Sequence, residues 1–121
     1  MRLPHEALVG VVRGDRILVL YRSKDCYWHL VAGGLESGET AAEAAARELF
    51  EETGLVAEPA PRGWSFEHDE IRVDVFSVEA PPGWEPVLND EHTDYRWASL
   101  AEANELLRWL EPRELAVQLL S

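Results

Sequence analysis

The chain has 121 residues, ordinary apolar and charged fractions, and a formal net charge of -12. This length predicts one domain over residues 1–121 with a substantial core. A surface this acidic repels phosphate backbones, so we expect no nucleic-acid polymer as ligand, although metal ions and local arginines can still hold a small polyphosphate.

Cysteine usage and hydropathy indicate the compartment. Cys26 is the single cysteine, so no internal disulfide forms, and its neighbours predict a free thiol in a loop. We find no targeting segment and no apolar run of membrane-spanning length. These features predict a cytoplasmic protein without membrane contact, and they leave the choice between monomer and homodimer open.

Two nearly continuous apolar segments, residues 5–12 and 17–21, open the chain around a turn at Gly14. Strands that are apolar on both faces are covered on both faces, so both segments belong at the centre of a sheet packed between helices. Arg22 follows the second strand where it leaves the core, and its charge can meet a substrate phosphate or only water.

A short extended piece, residues 28–32, leads into a glycine loop that starts at Gly33. Trp28 and His29 alternate along this piece, so their side chains lie on opposite faces. The pattern favours a surface position for His29.

A helix with well-marked ends follows the glycine loop. Thr40 and Glu43 have the spacing of a capping box, and Gly54 can adopt the left-handed conformation that ends a helix. The helix should therefore run from Ala41 to Thr53. Its expected apolar stripe contains Ala42, Ala45, Ala46, Leu49 and Phe50.

Three carboxylates, those of Glu48, Glu51 and Glu52, share an arc beside this stripe. Glu48 and Glu52 are four residues apart, a spacing at which like charges destabilise a helix by some tenths of a kcal/mol. A divalent cation would reverse that sign, and oxygen ligands of this kind suit Mg²⁺ or Mn²⁺. The alternative interpretation is an acidic, solvated helix face.

The second half of the chain alternates between strands and loops. Residues 56–67 begin irregularly and become extended, and residues 71–78 alternate as a strand whose phase shifts near Phe76. The proline-rich residues 80–86 cannot be a central strand. Trp84 in this loop is a candidate for stacking on a nucleobase, although it can equally pin the loop by packing.

Two further helices close the chain. Ser99 and Glu102 form a second capping box for a helix that should reach about Trp109, and Pro112 fits the first position of the last helix. The residues expected in their core are Leu100, Ala103, Leu106, Leu107, Leu110, Leu115, Ala116, Leu119 and Leu120. The order of elements predicts an α/β/α sandwich with a mixed sheet.

The spacing across the glycine loop and the first helix is specific. Gly33, five residues, Glu39, seven residues and then the segment from Arg47 to Leu55 match each fixed position of the signature of Nudix hydrolases. The chain therefore resembles this MutT-like family, most strongly here and loosely over its whole length. One departure is the pair Val31-Ala32, where family members often have Pro-Gly.

The resemblance implies an α/β Nudix fold and a metal-dependent hydrolase that cleaves a diphosphate linkage in a nucleoside derivative. It implies metal binding by Glu48, Glu51 and Glu52 and by the carbonyl of Gly33. It also implies that Arg47, paired with Glu39, orients Glu48.

Two more roles follow from the resemblance. A tryptophan at the position of Trp28 often lies beside the site in this family, where it can wall the pocket, although a core position is an equal alternative. A carboxylate before the last strand often completes the metal site or acts as base, which favours Glu91 over Asp90 and Asp94. The residues from Glu91 to Trp97 are similar to the branch that cleaves dihydroneopterin triphosphate or dATP.

The resulting hypothesis is hydrolysis with magnesium, in which Glu48 or Glu91 accepts the proton of the attacking water. Two alternatives stay open. One is a nucleotide-sensing module that keeps the Nudix fold without hydrolysis, and the other is a diphosphate isomerase, for which Cys26 is poorly placed.

Overall fold

Seven strands and three helices make up residues 4–121, the part of the chain that the computed structural model describes. None of these helices is long and apolar enough to cross a membrane. The strands are β1 (His5–Arg13), β2 (Arg16–Arg22), β3 (Tyr27–His29), β4 (Val31–Gly34), β5 (Ala60–His68), β6 (Ile71–Glu79) and β7 (Asp94–Ala98). The helices are α1 (Ala41–Thr53), α2 (Leu100–Leu106) and α3 (Leu110–Leu120).

The strands form one mixed sheet in which β1 runs parallel to β6 and the other pairs are antiparallel. β1 and β2 pair only beside their hairpin, at Val12–Ile17 and Arg13–Arg16. Farther from the hairpin β1 pairs with β4, and β2 pairs with β3. The sheet therefore opens into two branches, β4-β1-β6-β5 and β7-β2-β3, and the mixed sheet predicted from the sequence is confirmed.

Each face of the sheet has its own apolar core. α1 packs on one face through Ala44, Ala45 and Leu49, and the α2–α3 pair packs on the other through Leu107 and Leu115 among others. The central strands contribute to both cores because successive side chains point to opposite faces. This confirms the α/β/α sandwich.

The predicted bounds of α1 are correct, but the face that it buries differs from the predicted apolar stripe. The Thr40–Glu43 capping box and the left-handed Gly54 are both present. Ala42 and Phe50, however, are exposed, and Glu48 and Glu52 are buried instead. The helix is rotated so that its two stacked carboxylates, rather than the full apolar stripe, face the sheet.

The strand at residues 71–79 changes its buried face as predicted. Val73 and Val75 belong to the core under α2 and α3, and Phe76 belongs to the core under α1. Residues 80–93 contain no helix or strand, in agreement with the expected loop.

The two C-terminal helices differ from the prediction at their junction. α2 stops at Leu106, because Leu107 leaves the helix to enter the core and form an isolated bridge with Trp28. α3 begins at Leu110, so Pro112 lies within its first turn rather than at its first position. Leu110, which was expected in the core, is exposed.

The second capping box gives a stability prediction. The Ser99 hydroxyl accepts a hydrogen bond from the Glu102 N–H, and the Glu102 carboxylate accepts one from the Ser99 N–H. Ser99→Ala should lower the free energy of unfolding by about 1 kcal/mol, the usual effect of losing an N-cap. Ser99→Asp is the matched control, because Asp also caps well. Equal denaturation midpoints for Ser99→Ala and the wild type would contradict this role.

Candidate active site

Arg47 is the centre of a hydrogen-bond network on α1. Its Nε and Nη2 lie 2.7 and 2.9 Å from the two carboxylate oxygens of Glu39, and Nη2 also donates to the Gly34 carbonyl at 2.9 Å. Nη1 donates to Glu48 at 2.8 Å. The hydrogen bond from Arg47 lowers the pKa of the Glu39 carboxyl. Arg47 thus ties the glycine loop to Glu48, and both ion pairs expected for it are present.

Glu48 lies directly against the backbone of Gly33. A Cβ atom built at Gly33 would stand 2.2 Å from the carboxyl carbon of Glu48, which no side chain can tolerate. Gly33 and Gly34 are themselves fixed by pairing of β4 with the start of β1. Only glycine at this position lets a buried carboxylate, 7% exposed, reach the strand.

Glu52, one turn later, is 3% exposed. Its carboxyl is hydrogen bonded to Glu48 and accepts a bond from the backbone of Ala32. Burial, and then the adjacent Glu48, raise the pKa of Glu52 far above its usual range. His92 is also buried, with Nε2 3.8 Å from Glu52 and Nδ1 3.1 Å from the side-chain oxygen of Asn89. No sequence pattern indicated a role for His92, although it follows Glu91 directly.

The other two proposed carboxylates lie farther out. Glu51 is half exposed, and its carboxylate lies 3.2 Å from the same Nη1 of Arg47 that binds Glu48 at 2.8 Å, so Arg47 links it to the buried pair from the surface. Glu91 is 60% exposed and lies 3.8 Å from Nη1 of Arg22. Of the three carboxylates considered in that loop, Glu91 is the one that lines a cavity together with Glu48.

The donor set suits a divalent cation that is bound only in part by protein. Across residues 4–121 no three His, Cys, Asp or Glu side chains converge closely enough to enclose a metal ion by themselves. Two buried carboxylates in contact are nevertheless costly without a positive charge between them. Mg²⁺ commonly takes one or two carboxylates and completes its shell with water and substrate phosphate. Glu48 and Glu52 fit that mode of binding.

A cavity of about 210 Å³ opens beside Glu48, and we call it the carboxylate cavity. Arg22 supplies its positive charge, with Nε 3.2 Å from Asp25. The cavity lies where the two branches of the sheet separate. Its lining residues are Glu6, Arg22, Tyr27, His29, Ala32, Gly33, Gly34, Glu48 and Glu91.

A second cavity, of about 190 Å³, adjoins the first, and we call it the aromatic cavity. The two share Glu6, Tyr27, His29 and Ala32, so they lie side by side, and together we call them the cleft. The remaining residues of the aromatic cavity are Leu8, Phe66, His68, Val73, Trp109, Glu111 and Pro112. The sequence indicated none of these residues as part of the site.

His29 corrects a prediction, because it is a wall of the cleft and not a surface residue. Its ring lies 5.2 Å from that of Trp109 and 6.0 Å from that of Tyr27. Its Nδ1 accepts a hydrogen bond from the Leu30 N–H at 2.7 Å. Burial lowers the pKa of His29 to about 4, so the ring is neutral at physiological pH.

The two tryptophans proposed for substrate contact lie outside the cleft lining. Trp28 packs against Tyr21, with the guanidinium of Arg96 over its ring, and belongs to the core under α2 and α3. Trp84 packs edge-on against Trp97 and its carbonyl accepts from Arg13, at the hairpin end of β1. The cleft is at the opposite end of β1, so Trp84 holds the loop and the packing alternative fits both residues.

Comparison with known proteins identifies the family. The α/β/α sandwich and the glycine loop before a carboxylate-bearing helix are those of the class of hydrolases that the motif predicted. The NUDIX domain matches residues 3–119, and the chain belongs to the Nudix family of hydrolases.

Two curated relatives share part of their length with this chain. An octanoyltransferase from Myxococcus xanthus is 32% identical over 120 residues, which cover 88% of this chain and 34% of that protein. Phosphatase NudJ from Escherichia coli is 44% identical over 59 residues, or 46% of this chain and 39% of NudJ. The chain thus spans only a third to two fifths of the curated relatives it matches.

Solved structures share the whole fold at low identity. The E. coli dihydroneopterin triphosphate pyrophosphohydrolase has a TM-score of 0.86 and 24% identity, over 98% of this chain and 96% of that one. A MutT protein from Methanosarcina mazei has a TM-score of 0.73 and 24% identity, over 94% and 90%. An Ap4A hydrolase from C. elegans has a TM-score of 0.78 and 19% identity, over 95% and 93%. At these identities the likeness establishes the fold.

The raised pKa of Glu52 predicts a specific pH dependence of stability. An acid whose pKa is higher in the folded state stabilises the fold fully only below its unfolded pKa, about 4.3, and this stabilisation is lost as pH rises toward the folded pKa. With chelator present, the free energy of unfolding of Glu52→Gln should therefore increase relative to that of the wild type between pH 5 and pH 8, by about 1 kcal/mol or more.

Urea denaturation of both proteins at pH 5 and pH 8 measures this difference, and titration of His29 cancels because both proteins contain it. Glu51→Gln is the matched control and should stay within about 0.5 kcal/mol of the wild type at both pH values, because Glu51 is half exposed. A Glu52→Gln difference that does not change with pH would show that Glu52 ionises normally.

Proposed function

We propose that this protein is a magnesium-dependent pyrophosphohydrolase, with Mn²⁺ as an alternative metal, acting on a nucleoside diphosphate or triphosphate derivative. The observation that carries the proposal is the buried contact between Glu48 and Glu52, in which Glu48 lies beside Gly33 and also lines a cavity that contains Arg22. Such a pair gains from a cation and from the phosphate that a cation brings with it.

In this proposal Glu48, Glu52 and the Gly33 carbonyl hold the metal from the protein side, with Glu91 at the rim and Glu51 able to join from the surface. A bound divalent cation neutralises phosphate charge and lowers the pKa of water. Arg47 keeps Glu48 in place through the bond at 2.8 Å. Arg22 contacts a phosphate oxygen, for which its guanidinium geometry is suited.

The proton of the attacking water passes to a carboxylate, Glu48 or Glu91. Glu48 is fixed by Arg47, whereas Glu91 is 60% exposed at the rim, with its carboxylate 3.8 Å from Arg22. The water attacks one phosphorus in line with the departing phosphate. The substrate is a dNTP or a compound related to dihydroneopterin triphosphate, and the similarity in fold to the E. coli hydrolase named for the latter supports this choice.

The two alternatives are less well supported. A sensing module would not need each carboxylate of the signature, and Glu48 and Glu52 are both in place. A diphosphate isomerase would need a thiol in the cleft, whereas Cys26 is exposed and donates to the Ser23 carbonyl. We also propose that the protein acts in the cytoplasm, as a monomer or a homodimer.

The first test replaces one oxygen ligand of the buried pair. Glu52→Gln keeps the size of the side chain, so the fold should persist while kcat falls by at least about a hundredfold. Release of phosphate or pyrophosphate from a dNTP panel with magnesium measures kcat, and calorimetry measures loss of magnesium binding. Glu105→Gln, an exposed change on α2, is the control and should leave kcat unchanged. Normal turnover by purified Glu52→Gln would argue strongly against the proposal.

The second test concerns the positive charge of the carboxylate cavity. Arg22→Gln removes a contact to phosphate, so KM should rise about tenfold or more, in proportion to the loss of a charged hydrogen bond. Lys24→Gln, two residues away and exposed, is the matched control for the change in net charge. An equal effect of both substitutions would mean that Arg22 acts only through the general field.

A further inference from the structure

The loop between β6 and β7 presents Glu91 to the carboxylate cavity on a tight turn. The His92 N–H donates to the Asn89 carbonyl at 3.4 Å, three residues back, so Glu91 occupies the third position of a β-turn. Asparagine is common at the first position of such a turn. The side-chain oxygen of Asn89 also lies 3.1 Å from Nδ1 of His92. The turn is therefore closed twice, once by its backbone and once by its side chains.

His92 points into the protein at the end of this turn. It is 6% exposed, whereas the residues on both sides of it, Glu91 and Thr93, are exposed. Burial of a polar ring costs free energy unless the protein supplies contacts for it. Because the turn fixes Glu91 and His92 relative to each other, the buried position of the ring also fixes the direction in which the Glu91 side chain leaves the loop.

The buried ring lies between the turn and α1. Its Nε2 is 3.8 Å from a carboxylate oxygen of Glu52, which is itself 3% exposed. This distance is longer than a hydrogen bond, so the ring acts as a spacer of fixed size between the loop and the helix. Neither group can move without disturbing a close-packed interior. His92 thus sets how far the Glu91 turn stands from the buried carboxyl pair.

Two backbone hydrogen bonds fix the loop on either side of the turn. The Val87 N–H donates to the Thr53 carbonyl at the end of α1, at 2.9 Å, and the Thr93 N–H donates to the Tyr21 carbonyl on β2, at 3.0 Å. Within residues 4–121 the backbone of residues 88–92 makes no hydrogen bond to another element. The side chain of His92 therefore carries the polar contact between the turn and α1.

We propose that His92 is a positioning residue, whose ring, held between Asn89 and Glu52, places Glu91 at the rim of the carboxylate cavity. The inference rests on the proposed hydrolase function, in which Glu91 and Glu52 serve one reaction from two different elements. Replacing a residue that supports metal-binding side chains commonly lowers metal affinity or activity by about tenfold to a hundredfold. His92 supports Glu52 through its ring and Glu91 through the adjoining backbone.

Two substitutions separate the two contacts of the ring. His92→Asn keeps an amide near the position of Nδ1, within reach of Asn89, and loses the contact with Glu52. His92→Gln can place its amide near the position of Nε2 and so keeps that contact. We expect kcat to fall about tenfold or more in His92→Asn and to stay within about threefold of the wild type in His92→Gln. Thr93→Ala, an exposed change beside the ring, is the matched control and should leave kcat unchanged.

Wild-type kcat in His92→Asn, or an equal loss in His92→Asn and His92→Gln, would overturn the inference. The assay is release of phosphate or pyrophosphate from the dNTP panel with magnesium, and urea denaturation shows that each variant is folded under assay conditions. Asn89→Ala leaves the buried ring unchanged and should lower kcat in the same direction by a smaller factor, so it provides the test if His92→Asn does not fold.

A double-mutant cycle shows whether His92 acts through Glu91. If it does, His92→Asn should lower kcat much less in a Glu91→Gln background than in the wild type, because the group that the ring places is already disabled. A merely structural effect of His92→Asn would instead multiply with the effect of Glu91→Gln. Independent factors in this cycle would overturn the inference while leaving the hydrolase function established.

Hydrogen exchange tests the placement of the turn without any turnover. With chelator present, protection of the amides of residues 92 and 93 should fall by about tenfold in His92→Asn, because the turn opens more often, while the amide of Leu49 at the centre of α1 stays unchanged. If the wild type hydrolyses no substrate, the proposed function fails and this measurement decides the inference by itself. Unchanged protection overturns it, and lower protection confined to the turn supports it.

Discussion

The contact between two buried carboxyl groups, those of Glu48 and Glu52, is the constraint on which the rest of this structure depends. Their spacing on α1 is unfavourable in isolation, and burial increases the cost. The fold holds them there through Arg47, which binds Glu48, Glu39 and the Gly34 carbonyl at once. Both ends of α1 are capped, which stabilises the last turns of the helix and so keeps the two groups stacked one turn apart.

The opening of the sheet turns this local arrangement into a site. β1 and β2 separate after their short hairpin, and β3 and β4 pair with different branches. The cleft between the branches is lined by the carboxylate of Glu48 from α1 and by the rings of Tyr27 and His29 from β3. A continuous sheet would have filled this space with a ladder of hydrogen bonds.

The parts of the site that the sequence could predict are local in the chain. The ends of α1 depend on capping residues close to them in sequence, so spacing identified them, and the resemblance to the Nudix signature implied the pairs of Arg47 with Glu39 and Glu48. The burial of Glu52 at the expense of Phe50 depends on how α1 lies against β4, which no local pattern records.

The aromatic cavity could not be predicted from the sequence for the same reason. Tyr27, Phe66 and Trp109 come from three separate segments that only the sheet brings together. The sequence predicts a helix that reaches Trp109. In the structure α2 ends at Leu106, because Leu107 enters the core and pairs with Trp28, a contact that the local sequence does not reveal.

The two cavities of the cleft are built from different parts of the chain. The carboxylate cavity takes Glu48 from α1 and Glu91 from the 80–93 loop, whereas much of the aromatic cavity comes from the β5–β6 hairpin and the start of α3. Substitutions in the hairpin and α3 can therefore reshape the aromatic cavity without moving Glu48 or Glu91. A domain divided in this way can vary one wall of its cleft during evolution while the opposite wall is inherited unchanged.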